Sequence, residues 1–447
     1  MRYPTLLRTL MGAMLLAVMI LPVGASFTEA AEFYVNKETG KNSSPGTKEE
    51  PFRNLQKAID MAADGDTIHV AAGNYVGLMD RGQIRLTKHL TILGGYSPDF
   101  SERDILVHRT TIIPLKKVDT HRDDAVFFIE QGNKEGKTLI DGFIFDQGET
   151  NDYHLTNGKP EGLDTGMLLI PPTKSAPNAI PTANIAIMKG NTSGDFTVSN
   201  CVFNNAALYG IWVAQGKGTF TAENNVFTGN RMAAIEVRGR LADPHAAKAN
   251  ITNNTVLFTW SRTKEMEDMG YGIRGMTMCD YVIQGNIIAL STFAGYDNTR
   301  VDSNLKNTKT VALDRNMFFL NKQADMLIPG GGMMTRIWVE ENFEDVPDIE
   351  VPTTRFTSVE GNVGMTTAEP LKGVINLPYL EGFINATYSE VTDYDADSPA
   401  NTFRRAMGMN QTGAIQSTVT MWANRYPLED ALKLFGAVEG FGAQLPQ

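Results

Sequence analysis

The sequence predicts an all-β fold, a parallel β-solenoid whose coils share one core, with a helix closing its start and a short helix near its end. Three observations predict it. A short phrase recurs at regular intervals, an asparagine keeps its place in successive copies, and TAENNVFTGNRMAAIEV (Thr221–Val237) shows neither a helical period nor a hairpin signal.

The copies are LIDGFIF (Leu139–Phe145), TVSNCVF (Thr197–Phe203), TAENNVF (Thr221–Phe227), NITNNTV (Asn250–Val256), VIQGNII (Val282–Ile288) and ALDRNMF (Ala312–Phe318). Their last residues lie 58, 24, 29, 32 and 30 positions apart. A unit of that size cannot bury its own apolar face; stacked on its neighbours it makes a continuous core. A second segment follows most copies: YGIWV, AAIEV, YGIRG and, more loosely, GYDNT. After Cys201, the matching position is Asn225, Asn254, Asn286 and Asn316. Asparagine tolerates the left-handed backbone of a tight corner, and stacked amides hydrogen-bond along a pile of strands about 4.8 Å apart. GNVGM (Gly361–Met365) reads as a late coil.

Elements at both ends fit a capped solenoid. Residues 32–75 contain a strand, a loop and an amphipathic helix over Pro51–Ala62, with Leu55, Ala58, Ile59 and Ala62 on one face. DGDTIHVAAGNY then supplies a turn and the first full strand. SPANTFRRAMGMNQTGAI (Ser398–Ile415) resembles the closing segment of such solenoids; residues 76–415 are assigned to the coils and 416–447 to a second cap or a segment docked on the solenoid side. Its helix is expected at Leu428–Phe435, opened by Pro427 and closed by Gly436.

Composition narrows the function. With 20% charged and 42% hydrophobic residues the chain is a folding one, and its net charge of −11 argues against nucleic acid as partner. Arg2 and Arg8 precede an apolar run, Met11–Val23, and small residues follow, so residues 1–31 read as a signal peptide cleaved after Ala25 or Ala31. The expected place is secreted, periplasmic or on the cell surface, with no membrane span left after cleavage. Cys201 and Cys279 are expected to be unbonded, since the coil register separates them by about 14 Å.

FYVN, the SSPGT loop, NLQKAI and DGDTIHVAAGNY resemble the N-terminal cap of right-handed parallel β-helix proteins of the pectate-lyase-like superfamily. The coils from Leu139 to Phe318 resemble that superfamily's loose repeats. The resemblance implies a right-handed coil. It also implies an acidic polysaccharide as partner, with β-elimination or C5-epimerisation of a uronic acid as the chemistry. No catalytic signature transfers residue by residue, because one fold hosts many activities. A non-catalytic surface scaffold or adhesive solenoid is the competing class.

Where a site would lie follows from alternation along the strands. If Ile211, Ile235 and Ile273 point inward, Trp212, Glu236 and Arg274 line one outer face, and Asp297 joins them if GYDNT is shifted by one residue. Arg238 follows two residues after Glu236 on the same face. Long segments border this strip: Asp146–Asp164 and Phe258–Gly270 on one side, Pro171–Phe196, Gly239–Ala249 and Asn298–Thr310 on the other. Uronate chemistry needs a cation for the carboxylate and a base for the neighbouring proton. Arg274 and Arg238 are the candidate cations. Lys264, His245, Tyr271 and His154 are the candidate bases or acids. Trp212, Glu236, Asp297, Trp260 and Tyr271 are candidate sugar contacts. A plain ladder of opposite charges accounts equally for Glu236, Arg274 and Asp297.

No metal ligand set is evident. The six histidines lack metal spacing, and DYDADS (Asp393–Ser398) lacks the glycine and the twelfth-position glutamate of a calcium loop, where Arg404 stands. No cofactor is indicated; calcium is left open as one that uronate chemistry would draw on. P-loop, dinucleotide and GxSxG fingerprints are absent.

Overall fold

The computed structural model describes residues 30–78, 82–115, 125–148, 186–243, 245–261, 269–300, 309–330, 334–365, 369–388, 396–409 and 425–446. Residues 1–29 of the expected signal peptide, His154, Lys264 and the first half of the DYDADS segment (Asp393–Asp395) lie outside them.

Successive coils lay down three sheets. Sheet I has ten strands, from Glu32–Val35 to Thr354–Ser358. Sheet II has nine, from Gly73–Tyr75 to Val363–Gly364. Sheet III also has nine, beginning at Ile84–Leu86. One coil illustrates the plan: Gly218–Glu223 lies in sheet I, Val226–Thr228 in sheet II and Ala233–Gly239 in sheet III. Apart from the last strand of sheet III, each strand pairs in parallel with its counterpart one coil away, so Thr221 meets Thr197 and Asn250, and Phe227 meets Phe203 and Val256. The repeated phrase is therefore the sheet I strand, a corner and the sheet II strand.

The asparagine ladder forms over the full run. The side-chain oxygen of Asn225 accepts from the Cys201 amide at 2.9 Å, and that of Asn254 accepts from the Asn225 amide at 3.0 Å. Asn286, Asn316 and Asn362 continue the series at 2.8, 3.0 and 3.0 Å. From Asn225 to Asn316, each side-chain amide also bridges to the next asparagine and to a carbonyl of the coil before, as Asn254 Nδ2 does to Asn286 Oδ1 at 3.0 Å and Ala222 O at 2.9 Å. Asn225, Asn254, Asn286 and Asn316 are fully buried. Thus GNVGM is a true coil, with Asn362 as a rung. One expectation is corrected. The left-handed residue of the corner is not the ladder asparagine but its predecessor: Asn200, Asn224, Asn253, Gly285, Arg315 and Gly361 have φ between 51° and 69°. The predecessor turns the chain, which leaves the next side chain aimed along the stack.

Inside the coil, like residues stack on like. Phe145, Phe203 and Phe227 lie face to face with centroids 4.9 and 4.8 Å apart. Ile211, Ile235 and Ile273 stack in sheet III as expected and are fully buried. Cys201 and Cys279 are both free and buried. Burial pushes the Cys279 thiol up to about 12.

The ends differ somewhat from expectation. Helix α1 spans Leu55–Met61, shorter than Pro51–Ala62, because Phe52 is held in a β-bridge with Val35. Its apolar face still closes the core, with Leu55, Ala58 and Ile59 buried. Sheet III ends in a reversal: Met334–Ile337 pairs antiparallel with Ala324–Pro329. Beyond Val363–Gly364, helices α2 (Leu377–Thr387) and α3 (Pro399–Ala406) replace coils in part of the stretch assigned to the solenoid, while α4 (Leu428–Leu432) lies within the helix expected at Leu428–Phe435. Their apolar sides pack on sheet II, with Phe258 against Tyr379 at 4.9 Å and Phe319 stacked on Phe403 at 5.3 Å. Among the described residues no helix is long and apolar enough to cross a membrane.

Candidate functional site: an outer column of sheet III

Regular parallel pairing turns one position of each sheet III strand into a column on the outer face. Arg85, Phe128, Lys189, Trp212, Glu236, Arg274, Asp297 and Leu327 succeed one another there. Asp297 faces Arg274 directly because Tyr296 takes the inward place opposite Ile273; this is the one-residue shift anticipated from sequence. Lys189, Phe128 and Arg85 were not foreseen, because their strands do not carry the recurring phrase.

The column is a chain of polar contacts. The Trp212 indole N–H donates to Glu236 at 2.8 Å. Arg274 donates from Nη1 to Glu236 at 3.3 Å and from Nε to Asp297 at 2.8 Å. Asp297 also accepts from the amide and hydroxyl of Thr299 at 2.9 and 2.6 Å. The Tyr271 ring lies 4.7 Å from the Arg274 guanidinium, and the Lys189 ammonium stands 5.2 Å over the Trp212 ring.

Burial changes what these groups do. Glu236 is 3% exposed, Arg274 4% and Asp297 0%. The triad faces outward from the sheet yet is shut away from water. Burial raises the Glu236 carboxyl above the ordinary range, against the opposing pull of Arg274 and Trp212. For Arg274 burial acts downward, but the carboxylates of Asp297 and Glu236 outweigh it and hold the guanidinium above its usual value. Arg274 is therefore no free cation awaiting a ligand carboxylate, which corrects the role expected of it. Arg238 is different. It is exposed, sits opposite Ala214, and has no partner among the described residues. Trp212 is half-buried beside it, with its ring edge fixed by Glu236.

Two other expected members lie elsewhere. Trp260 is 2% exposed and belongs to the interface of sheet II with the helices; its indole N–H donates to the Tyr379 hydroxyl at 2.7 Å, and its ring meets Phe383 at 4.7 Å. It is a packing residue separated from the column. His245 is exposed at the corner leading into sheet I, with Nδ1 2.9 Å from an Asp280 oxygen. Beside it Lys309, Thr310 and Arg355 border a small cavity. Lys309 itself is buried, and desolvation pushes its ammonium down to about 8. Among the described residues, no group of three or more His, Cys, Asp or Glu is arranged to hold a metal ion.

Comparison with known proteins agrees with the fold. Residues 184–332 match the family model described as a right handed beta helix region, which gives the coils their hand. Residues 38–97 match the model of a protein family of unknown function, DUF1565. No curated protein matches the sequence. Among solved structures, a rhamnogalacturonan lyase is similar at 11% identity and a TM-score of 0.36, over 69% of this chain and 87% of that one. A pectate lyase is similar at 11% identity and a TM-score of 0.37, over 76% and 78%. A lacto-N-biosidase from Eubacterium ramulus follows at 10% identity and a TM-score of 0.24, over 66% and 57%.

Proposed function

We propose that this right-handed parallel β-helix binds an acidic polysaccharide along the outer face of sheet III. The observation that carries the reading is Arg238, an exposed guanidinium with no partner among the described residues, on the strand beside a half-buried, edge-fixed tryptophan. An arginine fork suits a sugar carboxylate, and the face of an indole suits a pyranose ring. The Lys189 ammonium over Trp212 adds positive charge to the same edge. On a chain of net charge −11, such a local basic spot is what a polyanion requires. Export, expected from residues 1–31, would bring the chain to polymers of this kind.

Binding is the reading the geometry supports better than turnover. Elimination or epimerisation needs a base beside the bound uronate. His245 is tied to Asp280, Glu236 is engaged by Trp212 and Arg274, and the Tyr271 ring lies against the Arg274 guanidinium. The closed Glu236–Arg274–Asp297 ladder favours a second reading, a scaffold whose outer charges serve only stability.

Calorimetric titration of the full chain with oligogalacturonate, with and without calcium, separates the two. Arg238→Ala is expected to weaken binding at least tenfold, about 1.4 kcal/mol, without lowering the melting temperature. Failure of the wild type to bind any acidic glycan would leave the scaffold reading. Equal binding by wild type and variant would move the site away from Arg238.

A further inference from the structure

The last coil and the C-terminal helices enclose a groove away from the sheet III column. Its cavity is about 550 Å³ and it is open to solvent. The floor comes from the turn into Ala324–Pro329, one wall from the segment after Met334–Ile337, and the other from α3 and the Tyr388 end of α2. Three stretches far apart in sequence thus meet around one space of the size that takes a small ligand or a few sugar rings.

The lining has two kinds of chemistry. Trp338 is half-buried and Tyr388 stands opposite in the same groove. The Lys322 ammonium lies 4.4 Å over the Tyr388 ring, so a positive charge already rests on an aromatic face here. The other charges are mostly acidic. Glu340 and Glu341 are exposed and have no cationic partner among the described residues. Asp397, on the α3 side, is shared with Arg405 at 3.7 Å. Asp325 lies buried at the floor, accepting from Asn321 Nδ2 at 3.0 Å and the Val339 amide at 3.2 Å. Burial raises its carboxyl to about 6, with Glu340 and Glu341 adding to the rise.

We propose that this groove binds an oligosaccharide carrying free amino groups. The half-buried Trp338 offers a face to a sugar ring, and the unpaired Glu340 and Glu341 carboxylates offer acceptors to protonated amines. A polyuronate is disfavoured, since four carboxylates and one lysine line the space. The groove is chemically opposite to the Arg238 strip, and neither proposal depends on the other.

Calorimetric titration of the full chain at mildly acidic pH tests it, using a short β-linked glucosamine oligomer, its fully N-acetylated counterpart, spermine and oligogalacturonate. The glucosamine oligomer is expected to bind at one site at least tenfold more tightly than each of the others. Trp338→Ala and the pair Glu340→Gln with Glu341→Gln should each weaken it about tenfold or more. Arg238→Ala should leave it unchanged. The exposed glutamate pair keeps the test decisive even if Trp338→Ala impairs folding. Equal affinity for the N-acetylated oligomer removes the role of the amines. Equal affinity for spermine removes the role of the sugar. No binding, or binding untouched by the glutamate pair, overturns the site.

Discussion

Replacing Arg274 by methionine is expected to lower the stability of the fold by about 3–5 kcal/mol. The guanidinium is held between Glu236 and Asp297 at 3.3 and 2.8 Å, and all three side chains are almost wholly removed from water. Methionine keeps much of the volume but leaves two carboxylates buried without a cation. Desolvation then opposes their ionisation with nothing to offset it. The cost belongs to the stranded charges rather than to the ion pairs themselves. Adding Glu236→Gln and Asp297→Asn to Arg274→Met should therefore recover at least half of the lost stability, read from denaturant midpoints. A single variant as stable as the wild type would mean that water or a mobile cation reaches the triad. The same reasoning makes Arg274 a poor residue for testing ligand binding, since its loss perturbs the fold first.

Asn254→Ala is the second large effect, a destabilisation of roughly 2–4 kcal/mol. The Asn254 side chain accepts from the amide and the side chain of Asn225, both at 3.0 Å, and donates to Ala222 O and Asn286 Oδ1. Alanine strands the Asn225 amide and the Ala222 carbonyl in a corner that no solvent enters. Because a solenoid coil is stabilised mainly by its neighbours, a broken rung also weakens the coupling of coils on its two sides. The denaturation curve should broaden as well as shift. The exposed Lys248→Ala in the neighbouring sheet I strand should stay within about 0.5 kcal/mol of wild type. An unshifted midpoint for Asn254→Ala would remove the ladder from the account of stability.

The coils were legible in the sequence because their physics is local and repeated. Each rung needs an asparagine directly before the sheet II strand, and each core layer needs an apolar residue in register. The same spacing placed Trp212, Glu236 and Arg274 in one column. It could not show that Glu236 and Arg274 would be buried while Trp212 stays half-buried, since burial depends on what covers the strip. Trp260 shows the limit of reading loops by their length. It looked like a wall of a cleft, but its indole donates to Tyr379, 119 residues onward in a helix outside the repeat. Lys189 and Arg85 were invisible because their strands lack the phrase that set the register elsewhere. The groove of Asp325, Trp338 and Tyr388 was hidden for a third reason: it is assembled from segments that share no pattern. The corner geometry was misplaced by one residue, because asparagine serves both the left-handed turn at Asn224 and the ladder at Asn225.

Hydroxyl-radical footprinting of the tryptophans tests the polysaccharide face most directly. Trp212 and Trp338 are both half-buried, while Trp260 is buried and serves as the unreactive control. With saturating oligogalacturonate, oxidation of Trp212 should fall several-fold while that of Trp338 stays as in the free protein. Oxidation of Trp212 that is unchanged while the oligomer is demonstrably bound would contradict the assignment of the sheet III face.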